Sequence, residues 1–160
     1  MNTRALTYIV ALGFVGASLV TAAPSSLQSI AIPVRSYLSS GLPNSFPVTY
    51  VFGKDGKLIF AAGASDGDAL NSFFASNGAK TPSQSSELTT KSERFSKLLA
   101  DNGQSLAKLV PTTKTFTVFN VEVGTSIGVC APCTQRHKVI AEDVPPAFDA
   151  GFVIIHLEDT

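Results

Sequence analysis

The chain has only two cysteines, Cys130 and Cys133, and their placement constrains the fold more than any other feature. They are spaced Cys-x-x-Cys within Gly128-Val129-Cys130-Ala131-Pro132-Cys133-Thr134-Gln135-Arg136-His137, just after an apolar run over residues 115–123. A helix start follows. With the second cysteine on the first helical turn, this spacing brings both sulfurs within bonding distance. The helix N-terminus then turns unpaired backbone N–H groups and the positive end of its dipole toward the first sulfur. That environment lowers a thiol pKa, which makes Cys130 the reactive thiolate and Cys133 the more buried resolving thiol. Pro132 suits the first turn, where a missing N–H is no loss. The motif alone leaves three chemistries open: a redox pair, a small structural disulfide, or half of a metal site with His137 as a third ligand. A structural zinc site takes four ligands, and the only other histidine, His156, ends an apolar run. Haem attachment needs His directly after the second cysteine, where this chain has Thr134.

Residues 1–22 read as a secretory signal peptide. Arg4 supplies the positive start, residues 6–20 are an uncharged apolar stretch, and Val20-Thr21-Ala22 offers a small-residue cleavage site. The run is short for a membrane span and has no basic flank after it. Export to a periplasmic or secreted location implies an oxidising compartment in which a disulfide persists. The remainder, roughly 140 residues over 23–160, is enough for one domain with a real core. Twelve Lys and Arg against twelve Asp and Glu, with no basic cluster, argue against nucleic acid or an anionic membrane as partner.

The rest of the chain alternates strand and helix signals. Pro33 opens a short helix over 33–40 that Gly41 ends. Residues 46–63 read as a β-hairpin: a β-branched and aromatic run, then Lys54-Asp55-Gly56, then a second apolar run. Asp55-Gly56 suits a tight turn that needs positive φ, and Pro47 stands at the strand start, where a sheet tolerates proline. Asp66 is the expected N-cap of a helix whose apolar face is Ala69, Leu70, Phe73 and Phe74, and Asn77-Gly78 closes it. The Ser/Thr-rich stretch 79–90 reads as a flexible linker. Phe95, Leu98, Leu99, Leu106 and Leu109 make the apolar face of a helical region over 92–109, broken near Asn102-Gly103. After the strand over 116–123 and the cysteines, a helix is expected over 133–142, barred from continuing by Pro145-Pro146. The apolar run over 151–157 suits a strand buried on both faces of a parallel sheet. Glu122 reads as a partly solvated charge at a strand end, and His137 as an exposed helix residue one turn beyond Cys133.

Two segments resemble the halves of a thioredoxin-like protein joined in the reverse order. Segment 92–160 is similar to the first half: helix, strand, Cys-x-x-Cys, helix, strand. Segment 28–77 is similar to the second: helix, proline-led strand, hairpin, strand, final helix. The stretch from Phe46-Pro47-Val48-Thr49 through Asp55-Gly56-Lys57 closely resembles that of the periplasmic TlpA/ResA/DsbE-like thiol-disulfide oxidoreductases. The resemblance implies an α/β fold with a central mixed sheet of about four strands flanked by helices, circularly permuted, with residues 78–91 as the rejoining linker. A domain-swapped homodimer would satisfy the same contacts as a permuted monomer. The family usually carries an aromatic residue before the first cysteine; here it is Val129, and the loop 124–128 is longer than the family's.

What the resemblance implies about function is dithiol/disulfide exchange with protein substrates and a redox partner protein. Cys130 and Cys133 are the catalytic pair, and Phe46, Pro47, Val48, Ala131 and Pro132 line the substrate strand, with the family's matching proline cis. No metal and no organic cofactor is implied, and no membrane contact once the leader is removed. Some members also keep a buried acid near the cysteines, and Glu122 is the residue that would match it, as the alternative to the strand-end charge. The rival expectation is a non-catalytic binding module of the same fold whose Cys-x-x-Cys only staples a loop.

Overall fold

The structure is a computed structural model that describes residues 27–79, 86–140, 144–145 and 147–159. The expected leader over 1–22 lies outside the described residues. Five strands form one mixed sheet: β1 (Leu27–Pro33), β2 (Val48–Gly53), β3 (Leu58–Ala62), β4 (Phe116–Val123) and β5 (Ala150–Glu158). Their spatial order is β1-β5-β4-β2-β3. β5 runs parallel to both β1 and β4, and β2 runs antiparallel to both β4 and β3. The helices are α1 (Val34–Ser39), α2 (Gly67–Ala75), α3 (Ser86–Asp101), α4 (Leu106–Leu109) and α5 (Ala131–Lys138). Among the described residues no helix is long and apolar enough to cross a membrane.

The hairpin forms where its punctuation demands. Gly53 N–H donates to the Lys57 carbonyl at 2.9 Å, and Gly56 takes the φ of +74° that favours glycine. β4 matches the run read from the sequence, and β5 is flanked on both sides by parallel neighbours, which explains its nearly continuous apolar sequence.

Three differences from the sequence reading have physical reasons. The sheet has five strands rather than about four, because Leu27–Pro33 adds to the open edge of β5. That strand is mostly exposed, as an edge strand can be, so it lacks a strong apolar signal. The helix α3 begins at Ser86, so residues 86–90 of the expected linker are helical; Leu88 is buried and anchors the added turn. Ala69 is exposed, and α2 buries Leu70, Phe73 and Phe74 instead.

Side chains alternate across the sheet with period two, so it has two distinct faces. On one face Tyr50, Phe52, Phe119, Val121, Val153, Ile155 and Leu157 pack with Tyr37 of α1 and Phe95, Leu98 and Leu99 of α3. On the other, Val51, Phe60, Val118 and Phe152 pack with Phe73 and Phe74 of α2, Phe148 and Ile140. The second face stops being apolar toward the C-terminal end of β4, where Asn120 and Glu122 follow Val118. The cysteines lie at that end.

Candidate functional site

β4 ends at Val123, and the chain crosses to α5 through a tethered loop. Gly124 N–H donates to the Leu157 carbonyl at 2.8 Å, Ser126 Oγ binds a Glu158 carboxylate oxygen, and the Asp159 N–H reaches Ser126 Oγ at 3.3 Å. Gly124 is required by close approach: a Cβ there would meet the Leu157 carbonyl at 2.6 Å.

Cys130 is the N-cap residue of α5, and its sulfur accepts a hydrogen bond from the Cys133 N–H at 3.2 Å. Ala131 and Pro132 fill the first turn as expected, and the helix begins two residues before the expected Cys133. Cys130 and Cys133 are joined in a disulfide with a Cα–Cα distance of 5.2 Å. The two sulfurs differ in access: Cys133 is buried at 4% exposure, whereas Cys130 is half-buried. Around them Ala131 and Pro132 are exposed, Ile127 is 42% exposed and Val129 fully so. Exposed apolar residues thus flank the two cysteines along the chain.

The proline-led strand comes to the same place. The Phe46–Pro47 peptide bond is cis. Pro47 is buried and shares a cleft of about 210 Å³ with Pro132, Arg136 and Asp68. Phe46 is half-buried and packs against the Tyr37 ring at 5.3 Å. Val48 is buried in the core and paired with Val121, so only its backbone is available on this side. Of the expected substrate-lining residues, Pro47 and Pro132 thus share one cleft; Phe46 and Val48 pack into the core on the α1 side, and Ala131 is exposed next to Pro132 without lining that cleft.

Under the cysteine helix runs a buried polar chain. Arg136, 6% exposed, donates from Nη1 to Thr49 Oγ1 at 2.8 Å and from Nη2 to the Gly63 carbonyl at 3.0 Å. Thr49 Oγ1 donates to Asn120 Oδ1 at 3.2 Å, and Asn120 Nδ2 donates to Glu122 Oε2 at 3.2 Å. Glu122 Oε1 lies 3.2 Å from His156 Nδ1, and its Oε2 lies 3.8 Å from His137 Nδ1. Strand register explains the order, since Thr49 faces Asn120 on the neighbouring strand and Glu122 faces His156. Burial pulls the Arg136 pKa below its usual value while the Asp66 carboxylate opposes the shift; a guanidinium stays charged regardless.

Glu122 is therefore not the partly solvated strand-end charge read from the sequence. It is 7% exposed, because β4 continues past it to Val123, β5 pairs beside it and α5 lies over it. His137 is 41% exposed at its side chain, half in solvent and half toward Glu122. A depression of about 730 Å³ is lined by Glu122, Cys130, Cys133, His137 and His156 together. Among the described residues no group of three or more His, Cys, Asp or Glu side chains is arranged to hold a metal ion. No protein-family model, curated protein or solved structure matches this chain.

Sequence reasoning missed Arg136, Thr49 and Asn120. The signal was a polar alternation, Asn120 and Glu122 on one face of a strand that is otherwise apolar there. Arg136 carried no signal of its own, because a helix arginine three residues past Cys133 reads as solvated.

Proposed function

We propose that this protein is an exported thiol-disulfide oxidoreductase with a thioredoxin-like fold whose two halves are in circularly permuted order. One observation carries the reading: the partly exposed Cys130 sulfur caps a helix N-terminus, bonded to a buried partner, beside a cleft shared by Pro47 and Pro132. The sheet order β5-β4-β2-β3 supports the permutation, with the cysteine helix following β4 and the proline-led strand beside it. Pro33, which precedes α1, is in register with Glu158 at the end of β5. Neighbouring strands lie about 4.8 Å apart, so the end of the cysteine-bearing half adjoins the start of the proline-bearing half.

The chemistry follows from access. In the disulfide form an incoming substrate thiolate reaches the Cys130 sulfur, since Cys133 is covered. It forms a mixed disulfide with Cys130 and expels the Cys133 thiolate. A second substrate thiolate then attacks the substrate sulfur of that mixed disulfide, leaving an oxidised substrate and a Cys130/Cys133 dithiol. Two electrons pass from substrate to protein, and a disulfide-bearing partner must remove them. In the opposite direction the Cys130 thiolate attacks a substrate disulfide, and Cys133 resolves the intermediate. The Cys133 N–H and the helix dipole favour the thiolate on Cys130, as at other low-pKa cysteines. The exposed apolar residues Ile127, Val129, Ala131 and Pro132 next to the cysteines suit contact with a polypeptide rather than a small charged thiol.

Trapping tests this. In Cys133→Ser, Cys130 has no resolving partner, and a mixed disulfide with a disulfide-bearing protein substrate is expected to accumulate on a non-reducing gel. Cys130→Ser is expected to trap nothing and to lose all turnover. Equal trapping by both variants, or by neither, contradicts the assignment and leaves the disulfide as a loop staple.

A further inference from the structure

We infer that Arg136 is the positioning residue that sets the gap between Pro47 and Pro132, and so governs how firmly a substrate strand is held there. The inference rests on the exchange activity proposed above. Arg136 sits on the cysteine helix, three residues past Cys133, yet both of its bonded partners belong to the other half of the chain. Nη1 binds Thr49, two residues after Pro47, and Nη2 binds the carbonyl of Gly63, just past β3. The Gly63 segment is itself fixed to the other side of Pro47. Ala64 N–H donates to the Ser45 carbonyl at 3.1 Å, two residues before Pro47, and the Asp66 carboxylate takes the Gly63 N–H at 2.8 Å. One buried guanidinium thus holds the proline loop from both sides and ties it to the helix that carries the cysteines.

A planar fork is suited to this task, since it fixes two acceptors in one geometry where an ammonium fixes one. Burying a cation is costly unless it is bonded; both bonds of Arg136 go to the proline-bearing half, and the nearby Asp66 carboxylate, which favours its charge, lies in the same segment. The capping of Cys130 is by contrast local, made within α5 by the Cys133 N–H. The two contacts separate physically: the Cys130 sulfur takes its hydrogen bond within the helix, whereas Arg136 bonds only to the proline-bearing half. Loosening the clamp weakens binding of ground state and transition state alike, which raises KM and leaves kcat.

The test is steady-state kinetics on a self-quenched, disulfide-linked peptide pair, with dithiothreitol regenerating the dithiol. Wild type is run first: if it shows no exchange, the proposed function fails and the clamp has nothing to position. With wild type active, Arg136→Lys and Thr49→Val are each expected to raise KM about tenfold, the effect of losing one hydrogen bond to a charged group, with kcat within about twofold. Thr49→Ser, which keeps the hydroxyl, is expected to restore the wild-type KM. If Arg136→Lys does not fold, as judged by its thermal melt, the Thr49→Val and Thr49→Ser pair decides. The inference is overturned if KM stays within about twofold of wild type in the folded variants, or if kcat falls while KM is unchanged.

Discussion

The two faces of the sheet are built from the same strands and yet are different materials. The face under α1 and α3 is hydrocarbon and aromatic along most of its length, from Phe52 and Phe119 to Leu157, with Phe95 against Tyr50, Phe52 and Phe119 at ring distances of 4.8–5.4 Å. Its polar exceptions among the described residues include the bonded hydroxyls of Tyr37 and Tyr50, 3.0 Å apart, and Thr117 Oγ1, which has no hydrogen-bond partner among them. The face under α2 and α5 begins the same way, with Phe73, Phe116 and Phe148 in mutual contact. It ends in the chain from Arg136 through Thr49 and Asn120 to Glu122. Buried polar groups are costly unless bonded, and here they gather at the end of one face, beneath the cysteines. The contrast teaches where the fold gives up apolar packing for bonded polar groups, and that place is beside the disulfide.

The comparison breaks most visibly by deletion in the apolar face. Phe95→Ala removes a fully buried ring and is expected to destabilise the protein by about 3–5 kcal/mol in chemical denaturation, the usual range for such a cavity. It is expected to leave the potential of the cysteine pair where it was. An equal shift of potential by Phe95→Ala and by a change at the polar end would erase the distinction.

Alkaline titration tests the one bonded polar pair on that face. Burial pushes the Tyr37 pKa up to about 12 and the Tyr50 pKa higher still. Both hydroxyls stay protonated in the fold while the unfolded chain ionises its tyrosines near pH 10. The unfolded state then binds fewer protons, so stability falls as pH rises. Each tyrosine is expected to contribute about 1.4 kcal/mol of loss per pH unit between roughly 10 and 12. Urea midpoints across that window give the slope, and Tyr37→Phe should cut it to about half, leaving the share of Tyr50.

A smaller effect belongs to the polar end. Glu122→Gln removes a buried negative charge that lines the same cavity as both cysteines. A neighbouring anion opposes thiolate formation, so its removal favours the reduced state and is expected to raise the reduction potential by about 15–30 mV. Glutathione equilibration of the variant beside wild type measures this, and a lowered or unchanged value would contradict the placement of Glu122 as part of the cysteine environment.

Most of the sheet was legible in the sequence because its signals are local. Phe116–Val123 reads as a strand from its own residues, and the hairpin from Asp55-Gly56. What stayed hidden was either weak or remote. Leu27–Pro33 is a strand only because β5 offers an open edge to it, and its exposed Ser-containing sequence has no periodic reason to be one. Asp66 stands at the N-cap position of α2 as read, but its carboxylate turns back to Gly63 N–H rather than capping the helix. Cys130, Cys133 and Pro47 were legible as residue types. The burial of Glu122 and the reach of Arg136 to Thr49, 87 residues away in sequence, depend on strand register and helix docking that no local pattern encodes.

The most direct test of the account is the reduction potential of the Cys130–Cys133 pair, measured by equilibration with glutathione. A reversible value between about −120 and −270 mV, the range of disulfide exchange catalysts, is predicted. A value below about −300 mV, typical of a structural staple, would contradict it.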